Sequence, residues 1–439
     1  MSKNLTKSSR RDFIKTSALA ATALSGMTAM RSVHAAEGDS VLKVGLVGCG
    51  GRGRGAASQA LNADANAQLV AVCDAFPDNA SSAVEIIKKD DSIASRVVVT
   101  PETTFDGLES YKKVIDLCDV VLLCEPTFFR PLSLRYAVDK GKHVFCEKPV
   151  AVDGPGIQSV LETCRIAKEK KLQIVSGLCW RYDFNVQNMM KKVLDGAIGD
   201  VLSVRETYLT SRPWLRPKKA GDTEMMYQVR NWANFTWLSG DFNVEQHVHS
   251  LDKALWVFGD KPPKYAYGIG GRMRHTDYPI SGDVYDAMSV VFEYEDGRTV
   301  YSLCRQQPNC WNDTEDYMLG TKGQAQILRS LINGEKQQTV KNNMYQNEHN
   351  ELFKAIRSGG NVYINNGEYM AYSTMMGILG RLACYTGKRL TWDEALKMEL
   401  PTTPTGLKWD DNPPTMPDEK GRYKIELPGL GLAYHEVVR

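Results

Sequence analysis

Short apolar runs alternate with amphipathic stretches along the first third of the chain. Val41 to Val47 reads as a strand, followed by a glycine-rich turn and a helix from about Arg54 to Leu61. Gln68 to Asp74 is a second strand, and Pro77 to Lys89 a helix with Pro near its start. Val97 to Val99 reads as a short strand and Tyr111 to Ile115 as a short helix. Val120 to Cys124 is continuously apolar, as in a strand buried on both faces. A helix from Pro131 to Lys140, a strand from His143 to Cys146, a helix from Gly156 to Lys170 and a strand from Gln173 to Gly177 complete the series. Strands alternating with helices predict an α/β unit with a doubly wound, mainly parallel sheet of the Rossmann type.

Beyond Trp180 the texture changes. Val186 to Leu194 has helical spacing, Val201 to Tyr208 reads as a long strand, and His247 to Phe258 reads as a helix. Alternating strands follow at Ala287 to Tyr294, Arg298 to Arg305 and Gln324 to Leu328. This pattern predicts an α+β domain on an open, mainly antiparallel sheet. Tyr369 to Cys384 reads as a helix returning to the body of the protein, and the chain from Pro401 is Pro-rich and irregular, a tail expected to wrap over the surface. The expected division is residues 1–36, 40–177, 178–400 and 401–439.

A chain of 439 residues suits two domains. A formal net charge of +2 provides no field to draw nucleic acid or an anionic membrane. Past the N-terminus no apolar run is long enough to span a bilayer, so no stable membrane insertion is expected once the leader is removed. The ten cysteines form no spaced framework and sit mostly in apolar runs, where they read as small buried residues. No clustered Cys or His pattern predicts a metal site.

Ser9-Arg10-Arg11-Asp12-Phe13-Ile14-Lys15, the mild apolar stretch Ala18 to Met30, and the small residues of Val33-His34-Ala35-Ala36 look like a twin-arginine export signal. A periplasmic or otherwise exported protein is therefore expected. That pathway carries folded proteins, which suits a protein that takes up its cofactor before leaving the cytoplasm.

Gly48-Cys49-Gly50-Gly51-Arg52-Gly53 lies between the first strand and the first helix, and Asp74 closes the next strand about twenty residues on. This is the spacing of a dinucleotide-binding turn. Gly48 makes the turn, Gly50 and Gly51 let backbone approach a diphosphate, and Gly53 lets helix and strand pack closely. The Asp74 carboxylate would accept hydrogen bonds from ribose hydroxyls and repel a 2′-phosphate, which favours NAD; Arg52 and Arg54 leave NADP open.

Glu147-Lys148-Pro149 ends a strand at the carboxyl edge of the sheet, where such folds bind ligands. Lys148 there could hold a substrate hydroxyl, or be an ordinary surface lysine. Glu245 and His249, four apart, would share one helix face as an acid orienting an imidazole base, or simply line a cleft. His247 should point elsewhere, toward substrate. Arg181 and Tyr182 sit at the domain junction, and Trp214 and Arg230 lie in Trp/Arg-rich segments. Trp stacks on sugar rings and Arg bonds hydroxyls or carboxylates, so these four are candidate substrate contacts; hinge or loop packing accounts for the same residues.

Together these motifs resemble the Gfo/Idh/MocA oxidoreductases, named for glucose–fructose oxidoreductase and inositol dehydrogenase. The resemblance rests on Val44 to Gly53, Asp74, Gly141 to Pro149 and Glu245 to Asp252. It implies that Lys148 is the catalytic lysine, that His249 is the catalytic histidine, and that Glu147 and Lys148 flank the cofactor. The family usually has an aspartate where this chain has Glu245, and often a His after the Pro in the stretch that reads Glu125-Pro126-Thr127-Phe128-Phe129-Arg130 here. The resemblance also implies an open-faced second sheet and homo-oligomerisation. The stretch Thr386 to Ala395 looks like an exported bacterial subgroup.

The function expected is oxidation of a ring hydroxyl on a sugar, glycoside or polyol, with a tightly bound NAD (or NADP) regenerated in place because little free cofactor exists outside the cytoplasm. One alternative is a redox-neutral NAD-dependent glycosidase or lyase working through a transient 3-keto sugar. A second is a non-catalytic ligand sensor.

Overall fold

The computed structural model describes residues 40–211, 214–273, 282–398, 400 and 402–429. The export motif lies outside these residues.

The first sheet has six parallel strands: β1 Leu42–Val47, β2 Ala67–Asp74, β3 Thr104–Asp106, β4 Val120–Leu123, β5 His143–Cys146 and β6 Ile174–Ser176. Their order is β3-β2-β1-β4-β5-β6, so the crossover reverses between β1 and β4. The helices between them are α1 Gly51–Ala63, α2 Pro77–Ile87, α3 Tyr111–Leu117, α4 Arg130–Asp139 and α5 Gly154–Glu169. Every residue of β4 and β5 is buried, as their unbroken apolar runs require.

The third strand differs from the sequence reading. Val97 makes a single bridge to Leu69, and the strand proper forms at Thr104–Asp106. Val97 and Val99 are buried, but a tight turn at Ala94–Arg96 precedes them and Pro101 follows, so the run cannot extend a ladder.

The second sheet comprises β7 Val201–Thr210, β8 Tyr265–Gly271, β9 Ala287–Glu293, β10 Thr299–Gln306, β11 Asp313–Gly320, β12 Gly323–Gln326, β13 Leu331–Ile332, β14 Glu335–Lys336 and β15 Leu390–Thr391. The order is β14-β13-β12-β11-β7-β10-β9-β8-β15, antiparallel except where β7 and β10 run parallel. β8 and β11 escape the sequence reading. β8 carries three glycines, and a Cβ at Gly268 would meet the Ser289 carbonyl at 2.5 Å and Cys384 Sγ at 2.9 Å. β11 is rich in acids that pair only in the folded sheet.

The remaining helices are α6 Phe184–Leu194, α7 Glu224–Arg230, α8 Thr236–Ser239, α9 Phe242–Glu245, α10 Val248–Val257, α11 Met344–Arg357, α12 Gly367–Thr386 and α13 Trp392–Lys397. α10 and α12 pack on one face of the second sheet. The opposite face leaves Ile269 78% and Tyr301 48% exposed, so it is open, as expected. α11 leaves the second domain and packs on α1, where Arg357 pairs with Asp64 at 2.6 Å. Residues 344–366 therefore extend the first domain's layer, which a boundary at residue 177 does not anticipate. The ten cysteines are unpaired, and all but Cys124 and Cys310 are buried.

A Cβ at Gly53 would lie 1.9 Å from the Gly48 carbonyl oxygen. Gly53→Ala must therefore push α1 off β1, and overpacking of this kind costs about 1–3 kcal/mol. A lowered urea midpoint at unchanged slope is the expected outcome; an unchanged midpoint would contradict this packing.

Candidate active site

A crevice of about 560 Å³ runs along the carboxyl edge of the parallel sheet, at the β1/β4 crossover. Its floor is the glycine turn, Asp74 and Glu125; its opposite wall is Trp214, Arg216, Arg230 and Trp232 from the second domain. Glu245 also lines it.

Gly48 has φ +88°, and a Cβ there would meet backbone of Cys124 and Glu125 at 2.6 Å. At Gly50 and Gly51 a Cβ would meet nothing within 4 Å, so this backbone faces open space. Gly50 caps α1 without any side-chain hydrogen bond, leaving the positive end of the helix to a ligand. Asp74 Oδ2 accepts from Cys49 N–H at 2.8 Å, while Oδ1 accepts from Phe76 N–H and the Asn79 amide at 3.0 and 2.9 Å. The carboxylate is thus held rigidly at the lip of the turn. An open glycine cradle, an uncapped helix and a fixed acid on the next strand fit a dinucleotide.

Arg52 turns inward rather than along the cradle. Its guanidinium binds Glu147 and Glu348, donates to Gln59 at 2.7 Å and lies over the Phe145 and Tyr345 rings. Glu147 in turn accepts from Lys148 N–H at 3.1 Å. The Lys148–Pro149 peptide is cis. Lys148 Nζ donates to the Glu245 carbonyl at 2.7 Å and lies 3.2 Å from Glu245 Oε1, with both side chains about 15% exposed.

Glu245 and His249 do not share one continuous helix. α9 ends at Glu245 and α10 begins at Val248. His247 N–H bonds back to Phe242 O and His249 N–H to Gln246 O, so the chain pivots at Gln246-His247. The pivot sends Glu245 to Lys148 instead of to the imidazole. His249 packs on Trp180 at 5.3 Å, and its buried Nδ1 has no hydrogen-bond partner among the described residues. Burial first, then the cations Lys148, Lys253 and Arg52, hold His249 well below the usual imidazole range. Its ring is a neutral base close enough to Lys148 to feel its charge.

Three expected substrate contacts lie away from the crevice. Arg181 is bidentate to Asp252 (3.0 and 2.8 Å) and bonds Asp260 at 2.6 Å, stacked on Tyr369. It ties the domain junction together, because a buried guanidinium must have its charge matched. Tyr182 donates to Asn366 Oδ1 at 2.7 Å behind α11. His247 is fully buried against the second sheet, with Nε2 2.5 Å from Ser302 Oγ, and burial pushes it down to about 3. Trp214 and Arg230 do line the crevice, but at the Asp74 end: Arg230 lies 4.1 Å over the Phe76 ring and pairs with Asp222 at 3.1 Å.

Arg130 is buried and bonds the Glu125 and Pro149 carbonyls, so it braces the sheet edge. Glu125 lines the crevice, bonds the Ser133 hydroxyl and is pushed up by burial. Sequence reasoning also passed over Phe76 and Asn79 in the crevice wall, while Arg216, in the Trp/Arg-rich segment it did mark, lines it. Asn79, five residues after Asp74 at the start of a helix, was the one with a readable signal.

Residues 42–177 match the family model for the oxidoreductase family with an NAD-binding Rossmann fold, and residues 186–326 match the GFO/IDH/MocA C-terminal domain. The chain is 25% identical over 289 residues to a 2,7-anhydro-N-acetylneuraminate hydratase of Escherichia coli, covering 65% of this chain and 68% of that one. It is 25% identical over 282 residues to an inositol 2-dehydrogenase of Rhizobium meliloti, covering 64% and 74%. In fold it is similar to scyllo-inositol dehydrogenase of Lactobacillus casei with bound NAD(H) and scyllo-inositol (TM-score 0.60, 20% identity, 81% of this chain and 100% of that one). With an NAD-binding Rossmann domain carrying the glycine cradle and the family's second domain behind it, the chain belongs to the Gfo/Idh/MocA oxidoreductase family.

Proposed function

We propose that the protein is an exported oxidoreductase that acts on a ring hydroxyl of a sugar, glycoside or polyol and keeps its NAD bound. The observation that carries the reading is the open glycine cradle beside Asp74, with the Lys148 amine held from the other domain by Glu245 of the crevice wall. The named relatives, an inositol dehydrogenase and an anhydrosugar-acid hydratase, support a polyhydroxylated ring as the substrate class.

The cradle of Gly48, Gly50, Gly51 and Gly53 would hold the diphosphate, and Asp74 the adenosine ribose. Asp74 disfavours a 2′-phosphate, although Arg54 also lines the crevice, so NAD is preferred over NADP. Bound NAD supplies a hydride acceptor. Lys148 holds the substrate hydroxyl oxygen and stabilises negative charge as it develops there. His249, kept neutral, accepts the hydroxyl proton. Glu245 fixes the Lys148 amine rather than the imidazole. Export rests on the N-terminal motif, and homo-oligomerisation on the open apolar face of the second sheet.

The direct experiment supplies purified protein with NAD and a panel of polyols, sugars and glycosides. Ketone formation supports the dehydrogenase; released aglycone with no net cofactor change supports the redox-neutral alternative; binding without turnover supports the sensor. Lys148→Ala should keep NAD bound while turnover falls by about a hundredfold or more; full activity would remove Lys148 from the chemistry.

Gly50→Ala should leave the urea midpoint unchanged, since its Cβ meets nothing, yet weaken NAD binding measured by calorimetry. Equal affinity would move the diphosphate elsewhere.

His249 should stay neutral in the folded protein at pH values where free imidazole is protonated. Its folded value lies below the unfolded value of about 6.5, so the unfolded chain takes up the proton first. The ring's contribution to stability is present above about 6.5 and fades as the pH falls below it. An NMR ring titration should have no midpoint near 6.5; a midpoint there would contradict the desolvated setting.

A further inference from the structure

His249 adjoins a buried group of charges that the proposed chemistry does not use. Lys253, one turn further along α10, is fully buried. Its Nζ donates to the His249 carbonyl at 2.9 Å and lies 3.4 Å from the centre of the Trp180 ring. The His249 imidazole packs on that same ring, 5.3 Å away. One ammonium therefore meets both the backbone of His249 and the surface its side chain rests on. Lys253 also lies 3.2 Å from Asp316 Oδ2 of β11. Glu206 of β7 stands opposite Asp316 in the ladder, and both acids are fully buried.

A buried cation is expensive unless acids match its charge. Here burial pushes both carboxyls up, and the charge of Asp316 adds to the effect at Glu206. Acids held toward their neutral form do not cancel the ammonium, so its charge still acts on the imidazole. The charges that act on the His249 ring are Lys148 past the end of β5, Lys253 on its own helix and Arg52 on α1. All three are cations, and each opposes a proton on the ring, as burial does more strongly. We infer that Lys253 is a positioning residue for His249: its ammonium fixes the His249 backbone and the Trp180 face on which the imidazole lies, and keeps a positive charge beside them. The inference rests on the reading of His249 as the proton acceptor and adds what holds that ring in place.

The test follows the His249 ring by NMR in the full chain with isotopically labelled histidine, the signal being assigned by its loss in His249→Gln. The Trp180 ring should displace this signal in the parent, and Trp180→Leu should abolish the displacement. Lys253→Met should move the signal toward its place in Trp180→Leu and raise the pH at which the ring titrates. Lys253→Arg, which keeps a cation, should restore both. Lys253→Met combined with Asp316→Asn removes the ion pair without stranding a charge, and should show the same two changes if the single variant does not fold. Arg357→Met breaks the ion pair with Asp64 and measures lost stability alone; it should leave the His249 signal where the parent has it. A parent-like signal and titration in a folded Lys253→Met background overturns the inference, as does an equal change in Arg357→Met. A parent ring with no displacement, or with a midpoint near the free value of about 6.5, overturns it whether or not the variants fold. None of these readouts needs a substrate. Full turnover of a sugar by His249→Gln would instead remove the imidazole from the proposed chemistry, while the NMR result still decides what Lys253 holds.

Discussion

The Lys148 ammonium reaches from the edge of the parallel sheet to the carbonyl and carboxylate of Glu245 in the second domain, and the site is organised around that bridge. It joins a strand end in one domain to the last residue of a short helix in the other. A hydrogen bond to a charged donor is worth about 1.5–3 kcal/mol when sheltered from water, enough to set which way Glu245 faces. The helix break at Gln246-His247 follows the same geometry, because an unbroken helix would carry Glu245 back over His249. The amine is left pinned, and the imidazole packs on Trp180 with no hydrogen bond to its Nδ1 among the described residues.

Buried charge does most of the positioning around this bridge. Arg52 gathers Glu147 and Glu348, and so braces the strand end that presents Lys148. Arg181 gathers Asp252 and Asp260 at the domain junction. Lys253, fully buried, lies 3.2 Å from Asp316 Oδ2 and 3.4 Å from the Trp180 ring on which His249 packs. Each cation is costly to strand without its partners, typically by about 3–5 kcal/mol, so these clusters fix relative positions more than they add net stability. Two of the residues that looked like ligand contacts in the sequence, Arg52 and Arg181, are absorbed by this scaffolding.

Much of the first domain was legible because its signals are local. Apolar runs such as Val120 to Leu123 need only their own side chains to declare a buried strand, and the spacing from Gly48 to Gly53 encodes a turn that other residues cannot make. The reading weakened where a local pattern had two uses. Val97 to Val99 is apolar enough for a strand but is hemmed by a turn and Pro101. The glycines of β8 look unlike a strand until α12 is seen to press against them. α11 has strong amphipathic spacing, yet nothing in it tells that it returns to the first domain.

From sequence alone came the parallel sheet, the cofactor turn, Asp74 as the closing acid and the candidacy of Lys148, Glu245 and His249, since each depends on residue type at short spacing. Folding alone settled that Glu245 serves the lysine, that His247 belongs to the sheet, and that Trp409 reaches Phe76. Those outcomes depend on which distant side chains meet when two sheets and a tail close on one another. A one-dimensional pattern carries the period of an element but not the partner it will find.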